Sequence, residues 1–401
     1  MLYDAIVIGA GPAGNMAALR LAEKGHRVAV VDPRHDMGNK LCTGIIGIDC
    51  VKNFPPEKNQ IYGEASSATI VAPSGKTYNI EKDTPQAFII DRVSYVKSIA
   101  EKASNAGAEY ILGSRATSIH NTQFNTVVNL NGTKNKLISK IVIVTSGFGS
   151  PLIKQLGIQT ESTDDYLAAT QAEITSNNLR QTEVYLGTKV MPGSFGWVVP
   201  LVDGKALAGL IGPKINKGQM NNFLSLLRSR NKIIDVTKKP TSWGVPIKPL
   251  KQTYRERMLI AGDAAGLTKP TTGGGIYYSL ISGELAAQTT SEAVNSGDFS
   301  TKKMSGYQQQ WESVLGQELA IGHNARLLYQ SLEDEQIDQL LDHLWTSGTK
   351  DELTNPLEFS FDRHSWAILK TINHRQISPL LKSFGPLARP FINRILRAAP
   401  K

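Results

Sequence analysis

Two glycine-rich segments and one short cysteine motif hold the residue types that could do chemistry. Gly9-Ala-Gly11-Pro-Ala-Gly14 falls between an apolar run, Tyr3–Gly9, and a helix-like stretch that opens at Pro12. In that setting Gly9 allows a tight turn, Gly11 lets the backbone approach a pyrophosphate, and Gly14 lets the helix pack against the strand. Pro12 and Ala13 then stand in the first helical turn, where free N–H groups and the helix dipole favour an anion. Asp32 closes the next apolar run, 18 residues after Gly14. A carboxylate there can accept hydrogen bonds from a ribose diol; Pro33 and Arg34, which follow it, are counted with the same site. In the second segment, the apolar stretch before Gly262-Asp263 leads to Pro270-Thr-Thr-Gly273-Gly274-Gly275-Ile276. Asp263 can hold a ribityl hydroxyl. The glycine N–H groups at a helix start can face the N1/O2 edge of a flavin, where negative charge collects on reduction.

Positioning these residues requires particular elements. Continuous apolar runs at Tyr3–Gly9 and Arg27–Asp32, joined by a helix over Pro12–Lys24, read as a βαβ-type opening. Residues 66–81 read as a hairpin and Val93–Ala106 as a helix. Residues 108–144 read as a three-strand meander broken at Asn121 and at Asn131-Gly132. Further strands are expected at Ala168–Ile174, Thr182–Leu186, Gly196–Leu201, Ala206–Ile211 and Arg257–Ala261. Helices are expected over 218–235 and Ile276–Val294, and the chain reads as mostly helical from about Lys303 onward.

Gly9-x-Gly11-x-x-Gly14, Asp91-Arg92, Gly262-Asp263 and Pro270-x-x-Gly273-Gly-Gly-Ile276 resemble the FAD-dependent family that includes p-hydroxybenzoate hydroxylase. Within it the chain is most similar to the geranylgeranyl reductases, which saturate prenyl double bonds. Three details carry that likeness: Cys42-Thr43-Gly44 after the second strand; Phe195-Gly-Trp197-Val-Val-Pro200, similar to an aromatic-x-Trp-x-Phe-Pro motif; and Tyr307…Trp311…Leu315-Gly316…Glu318-Leu319. The likeness covers roughly residues 1–330.

The resemblance implies an α/β fold, α+β overall: a Rossmann-like FAD-binding domain (1–65, 85–150 and 245–300), an interleaved antiparallel substrate domain (66–84 and 151–244) and a helical C-terminal region (301–401). It implies non-covalent FAD as the cofactor and Arg92 as a cofactor contact, with an ion pair to Asp91 as the alternative. It places Cys42, Thr43 and Gly44 near the flavin. Cys42 would line the cavity and help relay a proton, or else be a small buried thiol. Phe195, Trp197 and Pro200 would face prenyl carbons. Ser146-Gly147 stands where the superfamily usually has Asp-Gly, which leaves NAD(P)H and ferredoxin both open as the electron donor. Competing readings on the same fold are a monooxygenase or halogenase, for which Lys40 is a nominal adduct-holding lysine, and an electron-transfer flavoprotein serving a membrane quinone.

Composition narrows the class. Apolar residues make up 41% and charged residues 20% of 401, which supports a packed core. Two cysteines cannot form a disulfide framework or a four-cysteine cluster, and the histidines show no metal-ligand spacing. No run reaches the ~18 apolar residues of a membrane span, and Met1-Leu2-Tyr3-Asp4 leads directly into strand pattern, so no signal peptide is expected. These features point to a cytoplasmic protein, and the C-terminal charge pattern leaves a peripheral place on the inner face of the membrane open. The net charge of +9 is concentrated after Asp362, where there is no acidic residue and Arg363, Lys370, Arg375, Lys382, Arg389, Arg394, Arg397 and Lys401 stand among apolar patches. That pattern suits a surface on anionic lipid, or a C-terminal helix docked on the body with a solvated basic face. No nucleic-acid motif is present.

Overall fold

β1 (Leu2–Ile8) and β2 (Val28–Asp32) are buried along almost their whole length, because non-alternating apolar runs can face helices on both sides. They are joined by α1 (Pro12–Ala22) and pair in parallel, with Ile8 opposite Val31. The structure, a computed structural model, describes residues 1–38, 42–131, 135–158, 166–176, 178–346, 360–386 and 388–399. β3 (Ile45–Gly47), α2 (Ile48–Asn53), β4 (Ile61–Ala65), the hairpin β5 (Ser67–Val71) and β6 (Thr77–Glu81), and β7 (Ala87–Ile90) come next. Asp91 caps α3 (Arg92–Asn105) by accepting from the Ser94 N–H at 3.1 Å. β8 (Glu109–Leu112), β9 (Arg115–Asn121), β10 (Thr126–Asn131) and β11 (Lys136–Val144) precede the short α4 (Pro151–Gln155). β12 (Tyr166–Thr175), β13 (Thr182–Leu186), β14 (Phe195–Pro200), β15 (Lys205–Gly212), α5 (Lys217–Ser229) and β16 (Asp235–Pro246) follow. β17 (Tyr254–Arg255) and β18 (Met258–Ile260) lead to the helices α6 (Ile276–Ser296), α7 (Thr301–Trp311), α8 (Gln317–Gln330), α9 (Asp334–Thr346), α10 (Ser365–Asn373), α11 (Ile377–Ser383) and α12 (Arg389–Arg397).

The first sheet runs β17-β18-β11-β1-β2-β8, parallel from β18 to β8, with β9 and β10 attached to β11 as an antiparallel extension. The second runs β16-β12-β15-β14-β13-β5-β6 and is antiparallel except between β13 and β5. A small third sheet, β3-β7-β4, is antiparallel. The main core lies between the first sheet and helices α1, α3 and α6, and a second core lies between the large antiparallel sheet and α5.

The structure departs from the sequence expectation at two places. Residues 108–144 hold four strands: β8 leaves the meander and pairs in parallel with β2. The helix expected over 218–235 ends at Ser229, and Asp235 opens β16, a largely exposed strand that the sequence pattern hides. β16 is an edge strand, which is why Pro240 is tolerated within it.

The C-terminal helices pack onto the body. Ile372, Ile377, Leu381, Ile392 and Ile395 are buried in one cluster with Ile321 and Leu328 of α8. Arg363, Arg375, Lys382, Arg389, Arg394 and Arg397 are exposed, so the apolar residues of the tail dock it while its cations face solvent. Lys401 lies outside the described residues.

Candidate active site

One cavity of about 540 Å³ lies where the two large sheets meet. Gly9, Gly11, Pro12 and Ala13 line it at the start of α1, as do Asp32, Pro33 and Arg34 at the end of β2. Gly14 does not line it. A Cβ at Gly14 would fall 1.8 Å from the Gly9 carbonyl oxygen, so its missing side chain permits close packing of α1 on β1. Gly9 has φ +117° and could not carry a Cβ either, since one would meet the Thr145 carbonyl oxygen at 2.3 Å. The Asp32 carboxylate accepts from the Ala10 N–H at 2.8 Å and from the Arg34 N–H, Nε and Nη2, each at 2.9 Å. Burial acts to raise its pKa, but the Arg34 guanidinium and these N–H groups outweigh it and hold the carboxyl below its usual range.

Gly262, Asp263, Gly273, Gly274, Gly275 and Ile276 line the same cavity, where the N-terminus of the 21-residue α6 opens onto it. Pro270 stands outside, its carbonyl accepting from Arg326 Nη1 at 3.3 Å. Cys42, Thr43 and Gly44 also line the cavity; Cys42 is half-buried, and Thr43 Oγ1 bonds Gln171 Oε1 at 3.0 Å. Arg92 is buried in the wall and donates through Nη1 to the Gly38 carbonyl. Lys40 lies outside the described residues. Cys50, away from the cavity, is fully buried, and burial pushes its thiol well up.

The remaining wall is apolar. Phe195 and Trp197 from β14 stand with Val199, Ile211, Trp243 and Val245; Pro200, at the strand end, is not part of it. The sequence reading missed the other side: Lys269, Tyr277, Tyr278, Phe361 and Asp362. Phe361 and Asp362 belong to a strap, residues 360–364, pinned from two directions. Asp362 accepts from the Gly47 and Cys50 N–H groups at 3.0 and 2.9 Å. Glu318 of α8 accepts from the His364 and Ser365 N–H groups at 2.5 and 2.9 Å. Glu318 was visible in the α8 motif; its partners, 46 and 47 positions away, were not.

An FAD fits this arrangement. Two helix N-termini and two acidic strand ends face one cavity, which suits a pyrophosphate, a ribose diol and a ribityl chain. Ser146 Oγ and Trp197 Nε1 are buried on the cavity wall without a hydrogen-bond partner among the described residues.

The family described as pyridine nucleotide-disulphide oxidoreductase matches residues 3–185. A digeranylgeranylglycerophospholipid reductase of Methanosphaerula palustris is 31% identical, over 84% of this chain and 89% of its own. Among solved structures, a geranylgeranyl bacteriochlorophyll reductase-like protein of Thermoplasma acidophilum superposes with a TM-score of 0.85 at 23% identity, over 96% of this chain and 99% of that one. The p-nitrophenol 4-monooxygenase of Pseudomonas putida shares the fold more distantly, with a TM-score of 0.72 at 17% identity over 89% of this chain and 98% of its own. With its paired glycine segments opening on one cavity and a reductase relative matched along most of both sequences, the chain belongs to the geranylgeranyl reductase family of FAD-dependent oxidoreductases.

Proposed function

We propose that this chain saturates carbon–carbon double bonds in prenyl chains carried by a lipid, with a digeranylgeranylglycerophospholipid as the substrate class named by its relatives. The observation that carries the reading is the continuity of one cavity from the glycine segments to a wall of Phe195, Trp197, Val199, Ile211, Trp243 and Val245. That wall offers an apolar chain few polar partners and excludes water from the reacting carbons. Bound FAD supplies the redox chemistry. The chain's own residues hold and orient: Gly9–Ala13 at the pyrophosphate, Asp32 with Arg34 at the adenosine ribose, Arg92 in the wall, and Asp263 with Gly273–Ile276 at the flavin. Cys42, half-buried on the wall, is assigned to proton relay. We propose the domain division 1–65, 85–150 and 245–300 for FAD, 66–84 and 151–244 for substrate, and 301–401 as a C-terminal region.

We further assign the exposed cations of the C-terminal helices to docking on an anionic membrane, with exposed Leu396 between Arg394 and Arg397 on the same face and Ile392 and Ile395 turned into the body. Among the described residues no helix is long and apolar enough to cross a membrane.

The test is product analysis. Chemically reduced holoenzyme mixed under nitrogen with lipids bearing unsaturated prenyl chains should yield species heavier by two hydrogens per double bond in mass spectrometry. Unchanged lipid masses, with flavin reduced and substrate bound, would refute the reading.

A further inference from the structure

The cavity wall contains a cation that the proposed chemistry leaves unused. Lys269, between Gly262-Asp263 and the glycine run, is only 3% exposed. Its ammonium donates to the Phe361 carbonyl, lies 4.3 Å from the centre of the Phe361 ring and stands 3.5 Å from His364 Nε2. A Cβ on Gly274 would meet Lys269 Cε at 3.4 Å and Nζ at 4.0 Å, so the charge sits beside the backbone that opens α6. The titratable and charged groups facing it are Asp362 and His364 from the strap, Glu318 from α8 and Cys50 from α2. Asp362 and Glu318 are engaged with backbone N–H groups, and among the described residues no carboxylate forms an ion pair with Lys269. A buried cation whose nearest carboxylates, Asp362 and Glu318, act on it only at a distance costs stability, and such groups concentrate at functional sites.

We propose that Lys269 supplies the positive charge that makes this site hold reduced FAD more tightly than oxidised FAD. The inference rests on the FAD reading of the glycine segments. Two-electron reduction places negative charge at the flavin edge proposed to face Gly273–Gly275, and an ammonium beside Gly274 in a water-poor wall stabilises it, adding to the α6 dipole. Burial already holds the Lys269 pKa down to about 8, against the opposing pull of Asp362 and Glu318. A negative flavin would raise it again.

The test compares midpoint potentials of FAD holoenzymes by spectroelectrochemistry. Lys269→Met should still bind one FAD per chain, while its preference for the reduced form falls on the order of a hundredfold, as a lost unit charge ~6 Å away at an effective dielectric of ~20 implies. Lys269→Arg should keep the wild-type potential. A wild-type potential in Lys269→Met would overturn the proposal. Should Lys269→Met fail to fold, the wild-type protein still decides. Above about pH 8, reduction should take up one further proton as Lys269 recharges, so the potential should fall more steeply with pH there. A slope that stays constant through that range would overturn the proposal. Wild-type protein that takes up no FAD would instead overturn the FAD reading itself.

Discussion

At the scale of single residues, Asp32 shows how one carboxylate can organise a site. It binds the Ala10 N–H of the glycine turn and the Arg34 guanidinium at the end of its own strand, and so ties both sides of the proposed adenosine pocket. Asp32→Ala should weaken FAD binding by roughly tenfold to a hundredfold, as expected for losing charged hydrogen bonds worth ~1–3 kcal/mol; fluorescence titration with FAD would measure it. The pH dependence follows from its depressed pKa. The ionised form contributes fully above the ordinary carboxylate value of about 4 and is lost only as the pH falls through the lower folded value. FAD retention should therefore be flat from neutral pH down to about 5, and release should begin below about 4; release starting near neutral pH would show that Asp32 does not govern it. Asp32 was legible in the sequence because its place after a strand and a glycine motif is a local pattern. Lys269 was not. Nothing in Thr268-Lys269-Pro270 signals burial, and its contacts lie 92 and 95 positions away.

At the scale of elements, the site depends on two helices that present their N-termini together. α1 and α6 pack closely at Gly283, where a Cβ would fall 2.2 Å from the Ala13 carbonyl oxygen. Gly283→Ala should therefore cost about 1–3 kcal/mol through overpacking, read as a melting temperature lowered by several degrees, and should loosen FAD as α1 is displaced. An unchanged melting temperature and unchanged FAD affinity would show that the helices reposition freely. The opening βαβ unit, the 66–81 hairpin and α6 could all be read from periodicity and glycine placement. β16 could not, because an exposed edge strand rich in lysine has little apolar signal. The strap also escaped, since Asp362 bonds Gly47 across 315 positions, and only the fold brings such groups together.

At the scale of the whole molecule, the same basic and apolar composition of the tail served two readings, and the structure shows the tail docked on the body with its basic face in solvent. Ile392 and Ile395 of α12 are buried against the body while Arg389, Arg394 and Arg397 are exposed. Removing everything after Asp362 would therefore strip the cover from Ile321 and Leu328 of α8 as well as removing charge, so truncation cannot isolate docking. Arg389→Gln, Arg394→Gln and Arg397→Gln together leave that core intact. At ~1 kcal/mol per cation, they should weaken binding to anionic vesicles about a hundredfold and flatten its salt dependence in a flotation assay. Unchanged, salt-insensitive binding would place the membrane contact elsewhere or nowhere.

In the proposed function a flavin site and an apolar chain-binding wall share a single cavity. The most direct test is a single-turnover experiment under nitrogen, following flavin absorbance after reduced holoenzyme meets prenyl lipid. The proposed function predicts that the flavin reoxidises without oxygen, in step with and in proportion to the double bonds lost. Flavin that stays reduced with lipid bound, and reoxidises only when air is admitted to give an oxygenated product, would contradict it and favour monooxygenase chemistry on the same fold.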